Sequence, residues 1–492
     1  MNGKTQTAGG NGSQAQPWNS LAAVVGTAPG YNYPLLTTAP YTHANAAKTA
    51  NVVAAGPLAG PIQPGDEILL MSGNYGDFRV CVYNTEILNQ AFVTVAAAPG
   101  QTPVLTSLLV CSTTMWAFNG LKVQSLVSAA HSTTFLVNIG DQGASYPTSN
   151  IVLENMTISS QDDVTGWSQA QWVANARNGF NAQSSAGGNN TKCISLTGSH
   201  ITNVRTGAGL SANLTMFSGN EIDHFADDAV DFAASGLNIT KNYIHDNVGI
   251  GDGVHPDAMQ GQIGVPVPGV ASNNYSTILI DSNTIIRQTD PNLPFPKVGL
   301  QGIDAFDSDW TYLTVTNNLV VTSACWGVSF SSVHGGLIAN NTAVNDGLLS
   351  TSSICSPAVS IGDKTHQGSS SNGVTLRNNL ANQMTVYNLD PGVTADHNVG
   401  MATAGPVFVM YVKGVGTYYG SPGIYGNANV IAAGGPAAEF VDFDPSTLTY
   451  NMKLKAGAPA IGAGASGSPT VDILGATRTS PFAAGAYASP NN

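Results

Sequence analysis

Leu313-Thr-Val-Thr-Asn-Asn-Leu-Val320 carries the plan of the whole chain. Leu313 to Thr316 alternates apolar and polar side chains, as a half-buried strand does, and Asn318-Leu-Val320 follows as an asparagine with two apolar residues. The same phrase returns. The alternating runs Ile151-Val-Leu, Leu237-Asn-Ile-Thr and Thr277-Ile-Leu-Ile precede Asn155-Met-Thr-Ile, Asn242-Tyr-Ile244 and Asn283-Thr-Ile285. Further copies are Ser199-His-Ile201, Asn220-Glu-Ile222, Asn341-Thr-Ala343 and Asn379-Leu-Ala381. The closest stand 21 to 23 residues apart (199 to 220, 220 to 242, 318 to 341), and a longer gap such as 242 to 283 reads as one coil plus an inserted loop.

A fixed period of this size marks a solenoid. Each coil turns its corner at the same place. One corner position needs a left-handed backbone, which Asn tolerates better than most residues. Stacked Asn side chains can then hydrogen-bond from coil to coil. Trp-Asp or Leu-x-x-Leu-x-Leu signatures of other repeat folds do not recur. The expected fold is all-β: a single right-handed parallel β-helix solenoid with an N-terminal capping helix and loop insertions. The expected division is 1–60 as N-terminal extension and cap, 61–440 as the β-helix and 441–492 as a closing segment. Trp18 to Val25, with Ser20 as N-cap, is the candidate capping helix.

Composition agrees. Of 492 residues, 42% are hydrophobic and 9% charged, so neither disorder nor a long charged helix fits. The net charge of -13 argues against nucleic acid as a partner. No run of about 18 apolar residues is present, so membrane insertion is not expected. The five cysteines, Cys81, Cys111, Cys193, Cys325 and Cys355, lie far apart without CxxC spacing and read as buried single thiols. The N-terminus shows no signal-peptide pattern. An extracellular or virion-associated protein is expected, with its leader removed or its release by lysis. No heptads enforce a trimer, and a monomer is expected.

Chemistry concentrates in residues 221 to 262. His224-Phe-Ala-Asp-Asp-Ala-Val-Asp231 is followed by Gly251-Asp-Gly-Val-His-Pro-Asp-Ala-Met-Gln260, and Gly302-Ile-Asp-Ala-Phe-Asp307 comes next. Aligned as consecutive coils, these put Val230, Met259, Ile303 and Val328 inward. Asp231, Gln260, Asp304 and Ser329 fall on one outward strip. Asp228 and Asp257 then stand roughly 5 Å apart, and Asp231 and Asp304 roughly 10 Å. Packed carboxylates raise one another's pKa, which suits a general acid; sharing a Ca²⁺ is the alternative, with no cofactor the simplest case. His255, beside Pro256, is a candidate base or proton donor. The candidate catalytic set is therefore Asp228, Asp231, His255, Asp257 and Asp304. Gln260, Lys241, Arg287 and Lys297 are candidate substrate ligands, the cations for a uronate carboxylate. Trp167 and Trp172, in the helical insertion Thr165 to Arg177, either stack on sugar rings or pin the insertion to the wall.

Pro64-Gly-Asp-Glu-Ile-Leu-Leu70 and Ser72-Gly-Asn-Tyr-Gly76 resemble the first coil of many β-helix carbohydrate enzymes. Pro459-Ala-Ile-Gly462, Asp472-Ile-Leu-Gly475, Arg478 and Gly485-Ala-Tyr487 resemble their closing segment. The chain thus resembles the pectate-lyase-like superfamily of polysaccharide lyases, polygalacturonase-type hydrolases, alginate epimerases and phage tailspikes. Of the polygalacturonase motifs, the paired Asp227-Asp228 is present. The epimerase Asp-Pro-His is reversed here, as His255-Pro-Asp257. The resemblance implies an enzyme that cleaves an extracellular or capsular polysaccharide. Sparse basic residues tilt the expectation toward hydrolysis over elimination. A non-catalytic glycan-binding or tailspike-type protein is the alternative.

Overall fold

The computed structural model describes residues 65–81, 91–125, 135–141, 147–184, 190–253, 255–262, 274–296, 298–349, 356–362, 370–387, 392–401, 406–412, 416–419, 426–467 and 469–489, with short strands at 36–37, 42–44, 51–53 and 58–59. The expected capping helix, 18–25, lies outside the described residues. The chain is mainly β, a right-handed parallel β-helix with three parallel sheets. It divides into two compact units, residues 1–221 and 222–492.

In the first unit, Asp77–Cys81, Ser107–Cys111, Phe135–Gly140, Asn178–Gln183 and Ala208–Ser211 pair in parallel as sheet I. Sheet II runs from Glu67–Leu70 to Met216–Ser218 and sheet III from Gly73–Asn74 to His200–Val204. Cys81 and Cys111 are register partners in sheet I and form a disulfide, with Cα atoms 4.5 Å apart. Cys325, in the second unit, is also disulfide-bonded, whereas Cys193 is free. The expectation of single thiols was therefore wrong for these three. Residues 30 apart in sequence become neighbours once each coil returns to the same corner.

The helical insertion forms as a short helix, Gln169–Asn175, closed by a reciprocal cap between Ser168 and Gln171. Trp172 is fully buried and meets the half-buried Trp167 edge to face at 5.3 Å. Trp172 therefore pins the insertion and has no face to offer a sugar.

In the second unit, sheet I comprises Val230–Phe232, Asp257–Gly261, Gln301–Ala305, Trp326–Phe330, Ala358–Ile361, Gln383–Tyr387 and Phe408–Val412. Sheet II runs from Asn238–Thr240 to Thr394–Asp396, and sheet III from Tyr243–Asn247 to Val430–Ala432. The core is made of stacked aliphatic columns. Ile239, Ile280, Val315, Ile338 and Leu376 are successive register partners, all fully buried.

The corner between sheets II and III holds the repeated asparagine. Asn242, Asn283, Asn318, Asn341, Asn379, Asn398 and Asn429 form one ladder, each Nδ2 donating to the next Oδ1 at 2.9–3.0 Å. The second amide hydrogen of Asn318 goes to the Ile280 carbonyl, and its oxygen also accepts the Asn283 backbone N–H. The left-handed residue is the one before each rung: Lys241, Ser282, Asn317, Asn340, Asn378 and His397 have φ between 55° and 58°. Asn155, with φ 53°, holds that preceding position too, and Met156 stands at the rung. The backbone turn and the ladder are thus separate tasks given to adjacent residues.

Asn318→Ala leaves the Asn283 amide, the Ile280 carbonyl and the Asn341 carbonyl oxygen short of a partner. The expected cost is about 3 kcal/mol, read as a lower thermal midpoint. An unchanged midpoint would show that water replaces the rung at no cost.

Candidate active site

The second unit brings the predicted acidic cluster onto sheet I in the expected register. Asp231 pairs with Gln260, Gln260 with Asp304, and Asp304 with Ser329. Val230, Met259, Ile303 and Val328 point into the core and are fully buried. Alternation along each short strand puts the polar residues on the opposite face.

The strip is less open than alternation alone implies. Asp304 and Ser329 are 1% and 0% exposed, while Asp231 and Gln260 are half-buried. Asp228 and Asp257 stand at the strand entries and are also buried, at 9% and 0% exposure. Asp228 is fixed there because its Oδ1 accepts the Asp257 backbone N–H at 2.8 Å. Asp231 is thus the member of this carboxyl set that reaches solvent.

The four carboxyls sort into two pairs, not the two-coil pair of Asp231 with Asp304. Asp228 and Asp231 lie close enough to set each other's proton affinity, and so do Asp257 and Asp304. Two carboxyls held this close resist carrying charge together. Burial, then the charges of Asp231, Asp257 and Asp227, push Asp228 up to about 10. Burial also raises Asp231, to about 7, against the lowering effect of the Asp228 hydrogen bond. Asp304 lies well above the usual carboxylate range, through burial and the neighbouring Asp257. Burial raises Asp257 as well, while its bonds to Asp304 and His255 pull it back. Asp257 Oδ1 and Asp304 Oδ2 are buried and have no hydrogen-bond donor among the described residues, which adds to the cost of charge there. Burial and crowding thus favour the protonated form most strongly at Asp228 and Asp304. The pairs titrate as pairs.

An amide relay joins them. Gln262 Nε2 donates to Asp231 Oδ1 at 2.8 Å and to Gln260 Oε1 at 2.9 Å. Gln260 Nε2 donates to Asp257 Oδ2 at 3.0 Å. The same Oδ2 faces His255 Nδ1 at 3.1 Å, and Gln301 Nε2 lies 3.4 Å from that nitrogen. His255 has a side chain 72% exposed, so its ring is open to solvent while Asp257 orients it from below. Among the described residues, these four carboxyls do not offer three oxygens within 4.8 Å of one another.

The expected cations are elsewhere. Arg287 is buried, 1% exposed, and donates to Asp346 at 2.6 Å and to the Pro296 carbonyl. It holds the inserted turn and has no free face for a uronate. Lys241 sits in the left-handed position between sheets II and III, the corner away from sheet I. Lys297 lies outside the described residues. His245 and His224 bond Asp246 and Asp223 at 2.6 and 2.7 Å. Asp246 in turn accepts the Thr289 and Asp290 backbone N–H groups. These histidines serve the turn and not the strip. Gln262 and Gln301 were missed by sequence reading, although Gln262 shares the face of Gln260 by strict alternation.

Asp228→Asn tests the proton assignment. The folded Asp228 value lies above that of the unfolded chain, so the fold keeps a proton that the unfolded chain gives up. Stability therefore falls as pH rises from about 4 toward about 10. Asn keeps the acceptor for Asp257 N–H without the titration. The variant is expected to melt like the parent at pH 4 and roughly 2–4 °C higher at pH 8; equal melting at both would refute a protonated Asp228.

No protein family matches the sequence, and no curated protein is similar to it. Among solved structures the chain is similar to the pectate lyase Pel9A, at 15% identity over 87% of this chain and 89% of that one, with a TM-score of 0.36. It is also similar to the PL6 family polysaccharide lyase Pedsa3628 from Pseudopedobacter saltans, at 11% identity over 80% and 94%, with a TM-score of 0.38. The Dettilon tailspike protein matches at 11% identity over 70% of this chain and 61% of that one, with a TM-score of 0.28. The likeness is one of architecture and identifies no reaction.

Proposed function

We propose that this chain is a polysaccharide-cleaving enzyme in which Asp231 is the base and His255, oriented by Asp257, the proton donor. The observation that carries the reading is Asp231 itself. It is half-buried beside a cluster of buried carboxyls, and its pKa is pushed up to about 7. A carboxylate so placed takes a proton efficiently at neutral pH.

The same base serves two ways of cutting a glycan. It activates water in hydrolysis, or removes the proton at C5 of a uronate in elimination. The amides of Gln260, Gln262 and Gln301 suit sugar hydroxyls, because each carries both donor and acceptor. Disulfides at Cys81–Cys111 and at Cys325 suit an oxidising compartment, where extracellular and capsular glycans lie.

The test is a digest of a panel of neutral and acidic polysaccharides, followed by reducing-end assay, absorbance of unsaturated products and mass detection. New reducing ends without that absorbance identify hydrolysis; both together identify elimination. Glycan binding without any shortening of the chains would overturn the proposal in favour of a protein that only grips its glycan.

A further inference from the structure

We propose that Gln262, acting with Gln260, is a positioning residue that holds Asp231 as a carboxylate turned toward substrate. This rests on the reading of Asp231 as the base. The argument is one of donors and acceptors. Asp257 Oδ2 is the acceptor for the Gln260 amide, which turns its NH₂ to it, and the amide oxygen then faces away, toward Gln262. Gln262 must answer with its NH₂, whose second hydrogen is the one that reaches Asp231 Oδ1 at 2.8 Å. The orientation of both amides is therefore fixed by the buried Asp257 and transmitted to the exposed end of the network.

The backbone makes the reach possible. Gln262 N donates to the Phe232 carbonyl at 3.0 Å, which extends the sheet I pairing one residue past Gly261. Gln262 then lies on the coil that follows Asp231, with Gln260 two residues earlier on the same face. The charged and titratable groups that meet Asp231 are Asp228, Asp227 and Asp257, all carboxyls. Gln262 supplies a donor within that acidic surrounding. A donor to the ionised form favours it and so draws the carboxyl down toward neutrality from where burial alone would leave it. Gln262 also occupies Oδ1, which leaves the other oxygen for substrate.

The test is Gln262→Leu in the full chain, with two readouts. One is the pH profile of cleavage on the best substrate of the panel. The other is carbon-13 NMR titration of aspartate carboxyls, with Asp231→Asn as the assignment control. The expected result is an Asp231 midpoint raised by about one pH unit. Cleavage then falls about tenfold below the midpoint and recovers above it. Gln260→Leu cuts the link to Asp257 but keeps the Gln262–Asp231 bond, and it should move the midpoint by less. It also serves if Gln262→Leu fails to fold.

A unit shift in the NMR midpoint upholds the inference even if the parent cleaves nothing, and in that case the proposed function is what falls. An unmoved midpoint, with activity lowered equally at every pH, overturns the inference and leaves Gln262 a packing residue.

Discussion

Asp231→Asn is expected to lower glycan cleavage by about 10²–10⁴-fold, the usual contribution of a positioned base. The change removes the titration, keeps an amide oxygen as acceptor for Gln262, and turns its NH₂ toward Asp228, whose carboxyl can accept it. The fold should therefore be unaffected, and the thermal midpoint should stay or rise, because a crowded negative charge is gone. The parent enzyme should gain activity as pH rises through about 7, the value to which Asp231 is pushed. Asp231→Asn should lose that limb altogether. Initial rates of reducing-end release and of unsaturated-product absorbance, measured from pH 5 to 9, check both statements. A variant as fast as its parent would remove Asp231 from the chemistry, whatever becomes of the substrate.

The largest stability effect is expected at Arg478. Its side chain is half-buried within the closing segment, and the loss of water around it lowers its pKa to about 10, still cationic at neutral pH. It donates to Asn317 Oδ1 at 2.8 Å and to the Gly485 and Ala486 carbonyls at 2.9 Å. Asn340 and Asn378 reach the same segment through their side-chain amides. The first asparagine of each Asn-Asn pair thus binds the returning chain, while the second makes the ladder. Arg478→Ala leaves several part-buried acceptors without this donor, at an expected cost of about 3 kcal/mol. A solenoid transmits such a loss locally, because each coil contacts its neighbours alone. Hydrogen exchange should therefore rise first across Asp472 to Tyr487. Arg478→Lys should recover a small part, since one ammonium cannot match a planar fork. Unchanged exchange in Arg478→Ala would show that the segment is held by its apolar contacts alone.

Much of the fold was legible because a solenoid writes its geometry into a local period. The Asn phrase and the alternating runs identified coils, and aligning Asp228-Ala-Val-Asp231 on Asp257-Ala-Met-Gln260 reproduced the register of sheet I. Where the reading slipped, it slipped by one residue. The rung asparagine was given the left-handed turn that its predecessor makes, because both tasks favour the same residue type. The disulfide was missed because its partners sit a whole coil apart in sequence yet side by side in the sheet.

For the acidic strip, sequence by itself determined which carboxyls share a face and in what order they stack, since strand alternation and coil period are local properties. Tertiary structure alone decided which of them meet water. Three of the four are covered, and burial sets where each proton rests. It also took Arg287 and Lys241 away from the strip, because the corner in which a residue lies depends on how the inserted turns fold back. Exposure and desolvation depend on every atom around a group, and no local pattern encodes them.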